Sequence, residues 1–396
     1  MFELTHYINK YRDSLLEDVV PFWSNYSLDK KYGGYFTCLD RHGNVYDQDK
    51  FIWLQCRQVW LFAMLYNQVS PKQEWLDIAL HGAGFLEKYG RDERGHWYFA
   101  LTQDGRPLVQ PYNIFSDCFA TMAFGQLGKA TGEKKYNELA EETFSIILSR
   151  RGNPKGTYNK IYPGTRPTKD FALPMILSNL VLEVTHLLDM ELVESTINYA
   201  LQEVMEVFYQ KDLSLILENV STDGSIVDTF DGRLTCPGHG LESMWFVMDI
   251  GIRNKNKALV EKAKNIALDL MEYGWDGEYG GIFYFLDVKG YPLDRLDWDQ
   301  KLWWVHQEAL LAMLKGYAHT QDGKCWDWFL KLDAYAWKHF ADPLFGEWFG
   351  YLNRRGEVLL PLKGGKWKGC FHTPRFLYQG WKTLEVIAEN KHSFPG

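Results

Sequence analysis

Two histidines in this 396-residue chain stand in segments that could place an imidazole at the start of a helix. His239 lies in Cys-Pro-Gly-His-Gly and His372 in Lys-Gly-Cys-Phe-His-Thr-Pro, so Gly and Pro residues that mark helix starts flank each one. A helix N-terminus disfavours imidazolium, which predicts neutral histidines able to act as general bases near pH 7. Glu242 follows His239 by one helical turn and could hold the ring or contact a substrate hydroxyl.

A repeated pattern shows how residues so distant in sequence could share one site. An Asp-initiated, Gly- and aromatic-rich segment begins at Asp29 and recurs at Asp92, Asp212, Asp276 and Asp342, each time followed by a polar turn with Gly. The turns predict β-hairpins. The spacing is about 64 residues, with one member missing near residue 150, and this predicts six units.

Between the hairpins the apolar residues follow a helical period. Six segments are apolar on nearly every side and are predicted as inner helices: Lys50–Val69, Tyr112–Thr131, Asp170–Leu188, Pro237–Arg253, Gln300–Thr320 and Phe371–Glu389. Each is paired with a more amphipathic segment, for example Pro71–Tyr89, Glu133–Arg150 or Lys324–Phe340. The pattern predicts an all-α fold: an (α/α)6 barrel of six inner and six outer helices with short β-hairpins between units, in one domain spanning residues 1–396. A linear solenoid is the alternative, but it would need polar terminal units, and the first unit is as apolar as the others.

In a closed ring the first turns of the inner helices meet at one mouth. The reactive residues that fall there are Arg57, Ser116, Asp117, His239, Glu242, His306, Glu308 and His372. Arg57 suits a developing oxyanion, with an ion pair at the helix end as the alternative. Trp303, Trp304 and Trp367 could stack on a sugar or close the end of the barrel.

Composition narrows the class of protein. The net charge is −8, and the sequence has neither a long basic run nor an apolar run of membrane-spanning length, which argues against nucleic acid and membrane partners. The first residues do not resemble a signal peptide, and the six cysteines lack CxxC spacing, so we expect a cytoplasmic protein with reduced thiols.

The gap in the repeat holds a loop, residues 150–169, with six basic residues among glycines. Backbone N–H groups and lysines in such a loop could bind phosphates, while an ordinary solvated loop is the alternative.

Several stretches resemble, over nearly the whole chain, the N-acylglucosamine 2-epimerase family, also called the renin-binding protein family. These stretches are Gly33–Asp40, Trp53–Trp60, Pro237–Glu242, Lys301–Trp304, Gly346–Leu352 and Lys363–His372. The resemblance implies an (α/α)6 barrel, a homodimer, and interconversion of N-acetylglucosamine and N-acetylmannosamine by proton exchange at C2 of the open-chain sugar.

By the same resemblance, His239 and His372 are the two catalytic histidines and Arg57 contacts the oxyanion. Glu242 and Glu308 support the site next to the substrate, and Phe115 and Trp367 line it. Members acting on N-acetyl sugars are activated by ATP that is not consumed, and Lys160 and Arg166 of the loop are the candidate ligands. The chemistry itself requires no metal and no redox cofactor.

Three other functions stay open on the sequence. The first is another aldose 2-epimerase or an aldose–ketose isomerase of the mannose or cellobiose type. That branch carries an Asn and a His on the third inner helix, a pair that Pro174–Asn179 lacks, although Asn179 itself has no interpretation. The second is a glycoside hydrolase using Glu242 and Glu308 as paired carboxylates. The third is a protein that binds a protease without turnover. A metal site is disfavoured because the sequence has no HExxH motif and no tight ligand cluster.

Overall fold

Thirteen α-helices organise the computed structural model, which describes residues 2–162 and 164–392. In chain order they are α1 (Phe2–Asp13), α2 (Val20–Tyr26), α3 (Ile52–Gln68), α4 (Gln73–Tyr89), α5 (Phe115–Thr131), α6 (Lys134–Arg150), α7 (Ala172–Glu183), α8 (Met190–Gln202), α9 (Pro237–Arg253), α10 (Lys257–Gly274), α11 (Trp303–Thr320), α12 (Gly323–His339) and α13 (His372–His392). A π-helical turn, Ser14–Val19, joins α1 to α2, and a second one, Glu203–Phe208, extends α8.

The helices form two concentric rings. The inner ring is α3, α5, α7, α9, α11 and α13, each contacting the next. It closes where Phe371, just before α13, packs against Trp60 of α3 with the ring centroids 5.2 Å apart. The outer ring is α1 with α2, then α4, α6, α8, α10 and α12. This confirms the predicted (α/α)6 barrel, while the assignment of residues 1–396 to one domain stays a prediction, and Met1 and residues 393–396 lie outside the described part.

The distribution of apolar residues along each helix determines whether it lies in the inner or the outer ring. In α5 every residue from Ser116 to Gly128 is buried, as expected for a helix covered on all sides. Its partner α6 buries only a stripe of residues three or four apart, including Tyr136 and Phe144, and exposes the rest. The predicted inner helices match the observed ones to within about three residues except α7, which ends five residues early because Val184 leaves helical geometry.

Fourteen short strands in the described residues pair antiparallel near the starts of the inner helices. They are β1 (Cys38–Leu39), β2 (Val45–Asp47), β3 (Lys50–Phe51), β4 (Ala100–Leu101), β5 (Pro107–Val109), β6 (Thr168–Asp170), β7 (Tyr209–Gln210), β8 (Leu215–Ile216), β9 (Asn219–Ser221), β10 (Leu234–Thr235), β11 (Leu286–Asp287), β12 (Lys301–Leu302), β13 (Tyr351–Leu352) and β14 (Val358–Leu360).

These strands join each unit to the next. The strand before an inner helix pairs with a strand of the following unit in β3–β4, β6–β9, β10–β11 and β12–β13. A bridge between Leu362 and Asp40 joins the last unit to the first. In the described part, the missing link lies between α6 and α7, where the loop 151–167 replaces the hairpin and carries only a short 3-10 turn, Gly156–Tyr158.

Two of the five predicted hairpins take another form. β1–β2, β4–β5 and β13–β14 close as expected. In the unit that begins at Asp212, the strand β8 pairs with the preceding strand β7 instead of with residues that follow Val220. In the unit of Asp276, residues 288–300 form no strand after the turn, consistent with Pro292, which lacks a ladder donor. This segment runs to the mouth of the barrel instead.

Buried ion pairs fix the start of three units. The repeat aspartates Asp29, Asp276 and Asp342 each accept from a lysine in the segment that leads to the inner helix of the same unit: Lys50 at 2.8 Å, Lys301 at 3.1 Å and Lys363 at 2.9 Å. Two aspartates also bind an arginine from the next unit's turn, Arg354 to Asp276 and Arg41 to Asp342. Although burial opposes ionisation, Arg354 and Lys301 lower the pKa of Asp276 to about 2.

The chain shows two further global features. All six cysteines are buried and free of disulfides. No helix in the described residues combines the length and apolarity needed to cross a bilayer.

We expect Asp276→Asn to lower the free energy of unfolding by about 3–5 kcal/mol, because it leaves the buried Lys301 without its counter-ion. Urea unfolding followed by circular dichroism measures this. Adding Lys301→Met should recover much of the loss, since an apolar side chain then replaces the unpaired charge. The control, Glu138→Gln, removes an exposed i,i+4 pair with Lys134 and should cost no more than about 0.5 kcal/mol. A loss below about 1 kcal/mol for Asp276→Asn would contradict the role given to this pair.

Candidate active site

A cavity of about 600 Å³ opens among the first turns of the inner helices. The side formed by α9, α11 and α13 carries His239, Glu242, Trp304, His372 and Arg375. The opposite side, from α3, α5 and α7, is mostly apolar. It consists of Trp53, Arg57, Phe115, Phe119, Met122, Ala172, Met175, Ile176 and Asn179.

His239 is held by a glutamate from the preceding strand region. Its Nδ1 lies 3.0 Å from both carboxylate oxygens of Glu218, the residue just before β9. Burial works against the charged imidazole, but Glu218 and the neighbouring Cys236 raise the pKa of His239 well above its usual range. With Nδ1 donating to Glu218, Nε2 is the nitrogen available to a ligand, and it carries a proton.

His372 is held in the same manner but in the opposite electrostatic setting. Its Nδ1 donates to Glu308 Oε1 at 2.8 Å. Burial and the nearby guanidinium groups of Arg57 and Arg375 lower the pKa of His372 well below its usual range, despite Glu242. This imidazole is therefore neutral, and its Nε2 has a free lone pair that can accept a proton.

The expectation of two neutral histidines stays a prediction: the surroundings favour the neutral form for His372 and the charged form for His239. Both residues lie in the first turn of an inner helix, as predicted, and the helix N-terminus acts on both. The difference comes from their neighbours, since Glu218 faces His239 alone whereas two arginines face His372. One base and one acid are therefore ready at the same pH.

Arg375 connects the acidic residues of this wall. Its Nη2 donates to Glu242 Oε1 at 2.5 Å and to Glu308 Oε1 at 2.7 Å. Trp245 Nε1 donates to the other oxygen of Glu308 at 2.8 Å. The three charged groups come from α9, α11 and α13, so that one buried cluster holds three inner helices and the base His372 together.

Arg57 differs from Arg375 in having no carboxylate partner. It is 8% exposed, its guanidinium lies 3.9–4.4 Å from the ring centroids of Trp53, Phe119 and Phe371, and its buried Nε makes no hydrogen bond within the described residues. Burial, together with Arg375, lowers the pKa of Arg57 well below its usual range, which reflects a buried charge with little compensation. The ion-pair alternative is thereby excluded for the described part of the chain, and the group is free for a ligand oxygen.

Trp304 lies close to both catalytic candidates. Its ring centroid is 5.0 Å from that of His239 and 5.9 Å from that of His372. Trp303 contacts His372 edge-on at 6.2 Å. Of the two functions open for this pair of tryptophans, Trp304 fits a wall of the cavity, with both imidazoles close to its ring.

The remaining predicted residues divide between the cavity and elsewhere. Phe115, Glu242 and Trp367 line the cavity, and Trp367 is 53% exposed at its mouth. Glu308 is placed differently from the expectation of a substrate contact: it is fully buried outside the lining and holds His372 and Arg375. Lys160 and Arg166 lie on the exposed loop and do not line this cavity.

Three other residues at matching repeat positions are structural. His306 is fully buried; its Nδ1 donates to Leu302 O at 2.7 Å, its Nε2 accepts from Ile282 N at 2.9 Å, and burial lowers its pKa to about 3. Asp117 pairs with Arg150 at 3.1 Å, and Ser116 beside it is buried outside the lining.

Sequence reasoning missed two important residues, Glu218 and Arg375. Arg375 follows His372 by three residues, so helical spacing could have placed it on the same face. Glu218 follows the alternating Leu215-Ile216-Leu217 run, but only tertiary pairing brings it to a histidine 21 residues later.

Two sets of potential metal ligands occur in the described chain: Glu218, Cys236 and His239, and then Glu242, Glu308 and His372, each within 4.8 Å. In the second set Arg375 already pairs with both carboxylates, so a cation there would meet a guanidinium. In the first, His239 Nδ1 is already hydrogen-bonded to Glu218. The expectation that no metal is required stays a prediction, which treatment with EDTA tests.

Comparison with known proteins gives a consistent result. The family profile described as N-acylglucosamine 2-epimerase (GlcNAc 2-epimerase) matches residues 34–373. The chain is 41% identical to the N-acylglucosamine 2-epimerase of Mus musculus, over 96% of this chain and 92% of that protein, and 41% identical to that of Rattus norvegicus, over 91% and 88%. The fold is similar to the cellobiose 2-epimerase structure from Bacillus thermoamylovorans B4167, with TM-score 0.83 and 19% identity over 96% and 99% of the two chains.

We expect Glu218→Gln to lower the pKa of His239, because it removes the carboxylate that favours imidazolium. A raised folded-state pKa adds stability that is complete below the pKa of a free histidine, about 6.5, and is lost as the pH rises through the folded-state value. The variant should therefore lose more unfolding free energy at pH 6 than at pH 10. NMR titration of the imidazole and urea unfolding at both pH values measure this. Glu206→Gln, which alters an exposed carboxylate, should leave the His239 titration unchanged, and an unchanged titration in Glu218→Gln would overturn the assignment.

Proposed function

Because the chain belongs to the N-acylglucosamine 2-epimerase family, it is an isomerase acting on carbohydrates, and we propose that it interconverts N-acetyl-D-glucosamine and N-acetyl-D-mannosamine. The observation that carries this proposal is the pair of imidazoles beside Trp304 with opposite pKa shifts. Inversion at C2 needs a base on one face of the carbon and an acid on the other. Two neutral histidines would supply only the base.

The proton transfer follows from this arrangement. His372 Nε2 removes the C2 proton of the open-chain aldehyde, and the electron pair of the broken C–H bond passes through C1 to O1. His239 Nε2–H then gives a proton to the opposite face of C2, and the aldehyde reforms. After one inversion the protonation states of the two imidazoles are exchanged, and exchange with solvent restores them. In the reverse direction the two histidines exchange roles.

Arg57 completes the chemistry at O1. Negative charge develops on this oxygen as the C2 proton leaves, and a preorganised donor stabilises such charge most when it is buried and unpaired. Arg57 is the buried guanidinium at the cavity without a carboxylate partner in the described chain. Glu242 and Glu308 act through Arg375 and His372, keeping the base in position.

The alternative within the family is a mannose- or cellobiose-type enzyme. The wall formed by α7 bears on this choice, because its lining residues are Ala172, Met175, Ile176 and Asn179. An apolar wall with one amide favours a substrate with an N-acyl group over a fully hydroxylated sugar.

We further propose that the loop 151–167 binds a nucleotide activator in a cytoplasmic homodimer. Arg151 stacks on Tyr199, and Lys169 just beyond the loop pairs with Glu203. Lys160 and Arg166 remain exposed on the loop. The loop lies between α6 and α7, and α7 lines the cavity, which gives a route from nucleotide binding to turnover.

We expect His239→Asn and His372→Asn each to reduce epimerisation by about 10²–10⁴-fold, the usual effect of losing a general acid or base. Asn is chosen because its amide can still donate to the glutamate that holds Nδ1. In D2O each variant should still exchange the C2 hydrogen of one epimer without inverting it, and the exchanged epimer should differ between the two variants. Proton NMR of both sugars measures exchange and inversion together.

The control is His319→Asn, an exposed histidine at the far end of α11, which should keep both inversion and exchange. Wild-type enzyme should place deuterium at C2 of the product from the first turnovers. Product that retains its C2 hydrogen, or two variants that exchange the same epimer, would show that the histidines are not two separate acid–base groups.

For the activator, we expect Lys160→Ala with Arg166→Ala to abolish the response of the epimerisation rate to ATP, because both cations that would contact the phosphates are removed. Rates with and without ATP measure the effect. Lys255→Ala with Lys257→Ala, an exposed basic pair near the start of α10, is the matched control and should retain the response. An ATP response that survives in the loop variant would make this loop an ordinary surface segment.

A further inference from the structure

Asn179 is a polar side chain at the cavity that the proton-transfer chemistry does not use. It lies on α7, lines the cavity and is partly buried. Its amide makes no hydrogen bond within the described part of the chain, whereas Asn113 at the mouth accepts from Phe115 N at 3.2 Å. A partly buried amide without a protein partner is an available donor and acceptor for a ligand.

The position of Asn179 is deep in the barrel. It follows Ala172, the start of α7, by seven residues, which places its Cα about 10 Å below the rim. Met122 follows the start of α5 by the same number of residues. His239 and His372 lie in the first turns of their helices, so they occupy the level above. Because helical side chains lean toward the N-terminus, the Asn179 amide points up toward that level.

Polarity in the cavity is divided between its two levels. The polar residues near the mouth are Asn113, Arg295, Asp297 and Gln300, which suit the hydroxyl groups of a sugar. On the side opposite the histidines, Met122, Met175 and Ile176 line the cavity together with Asn179, and Arg57 is the charged residue there. A sugar with a hydroxyl group in place of the acylamino group at C2 would leave polar groups without hydrogen-bond partners against these apolar side chains.

We propose that Asn179 and the three apolar side chains around it form the subsite for the acylamino group at C2, and that Asn179 selects N-acylated amino sugars over simple aldoses. This inference rests on the proposed function. The Asn179 amide has both a donor and an acceptor, which match the carbonyl and the N–H of an acetamido group. Met122, Met175 and Ile176 then contact its methyl group.

Selection follows from the cost of leaving the amide unpaired. A site built to hydrogen-bond a substrate group discriminates strongly against an analogue that lacks the group. Glucose has only a hydroxyl at C2, which cannot reach both amide atoms and the apolar side chains together. Asn179 is thus a specificity-determining residue that takes no part in proton transfer.

The test compares Asn179→Leu, which keeps the size of the side chain but removes both hydrogen-bonding functions, with wild type. The substrates are N-acetylglucosamine and glucose. We expect kcat/KM for N-acetylglucosamine to fall by about 10–100-fold, mostly through KM, while kcat/KM for glucose is unchanged or rises. Deuterium incorporation per turnover should stay as in wild type, a readout that damage to the histidines would change. Asn265→Ala, an exposed Asn on α10, is the control and should keep the wild-type ratio of the two substrates.

A second pair of variants covers a failure of Asn179→Leu to fold. Asn179→Ser should give the same change in substrate ratio through a smaller alteration. Met175→Ala should increase the preference for N-butanoylglucosamine over N-acetylglucosamine, because it makes room for the longer acyl chain.

The outcomes separate the two proposals. Epimerisation of N-acetylglucosamine with an unchanged substrate ratio in the Asn179 variants and an unchanged acyl preference in Met175→Ala would overturn the subsite and leave the proposed function standing. A wild-type enzyme that epimerises glucose or another aldose but not N-acetylglucosamine would overturn the proposed function, and the subsite with it.

Discussion

The bridge from Arg375 to Glu242 and Glu308 is the interaction on which the active site depends. Three charges are removed from water there, a change that costs several kcal/mol per ion unless the groups pair well. The relative positions of the three charged groups therefore have to be maintained. Each group comes from the first two turns of a different inner helix. The same cluster holds His372 through Glu308, and Arg375 adds to the burial and to the charge of Arg57 that lower the pKa of this imidazole.

The ring of inner helices makes this cluster possible, and the links between units hold the ring. Each link combines a strand paired to the next unit with, in three units, a buried aspartate–lysine pair at the start of the inner helix. Arg354 and Arg41 extend two of these pairs across the unit boundary. The strands and ion pairs thereby fix where each inner helix begins, and the catalytic side chains lie within the next turns. The exception is the loop 151–167, which has no strand paired to the neighbouring unit. A ligand bound there could change the position of the adjoining helices without breaking strand pairs.

Sequence could predict the ring because its determinants are periodic. Helical apolar spacing and the aspartate repeat are local signals, and they place His239, His372 and Arg57 at one mouth without knowledge of any contact. The protonation states could not be predicted, because they depend on Glu218 and Arg375, whose charges reach the histidines through tertiary packing. The two predicted hairpins that take another form show the same limit. The turn glycines Gly224 and Gly290 are present, but the residues after each turn do not pair with the strand before it. Glu308 was placed at the correct position of the repeat, yet only packing shows that it supports His372 from behind.

The carboxylates of the site show why distance alone is a poor guide to chemistry. Oxygens of Glu242 and Glu308 lie within 4.8 Å of each other, close to the spacing of about 5–5.5 Å that retaining glycosidases use. A glycosidase needs one of the two carboxyl groups protonated and both in reach of the substrate. Here Arg375 donates to an oxygen of each group, and Glu308 is fully buried outside the cavity lining. Of the two carboxylates, only that of Glu242 lines the cavity, whereas both His239 and His372 line it. The burial and the contacts of the two carboxylates, more than their spacing, therefore favour proton exchange at carbon over hydrolysis.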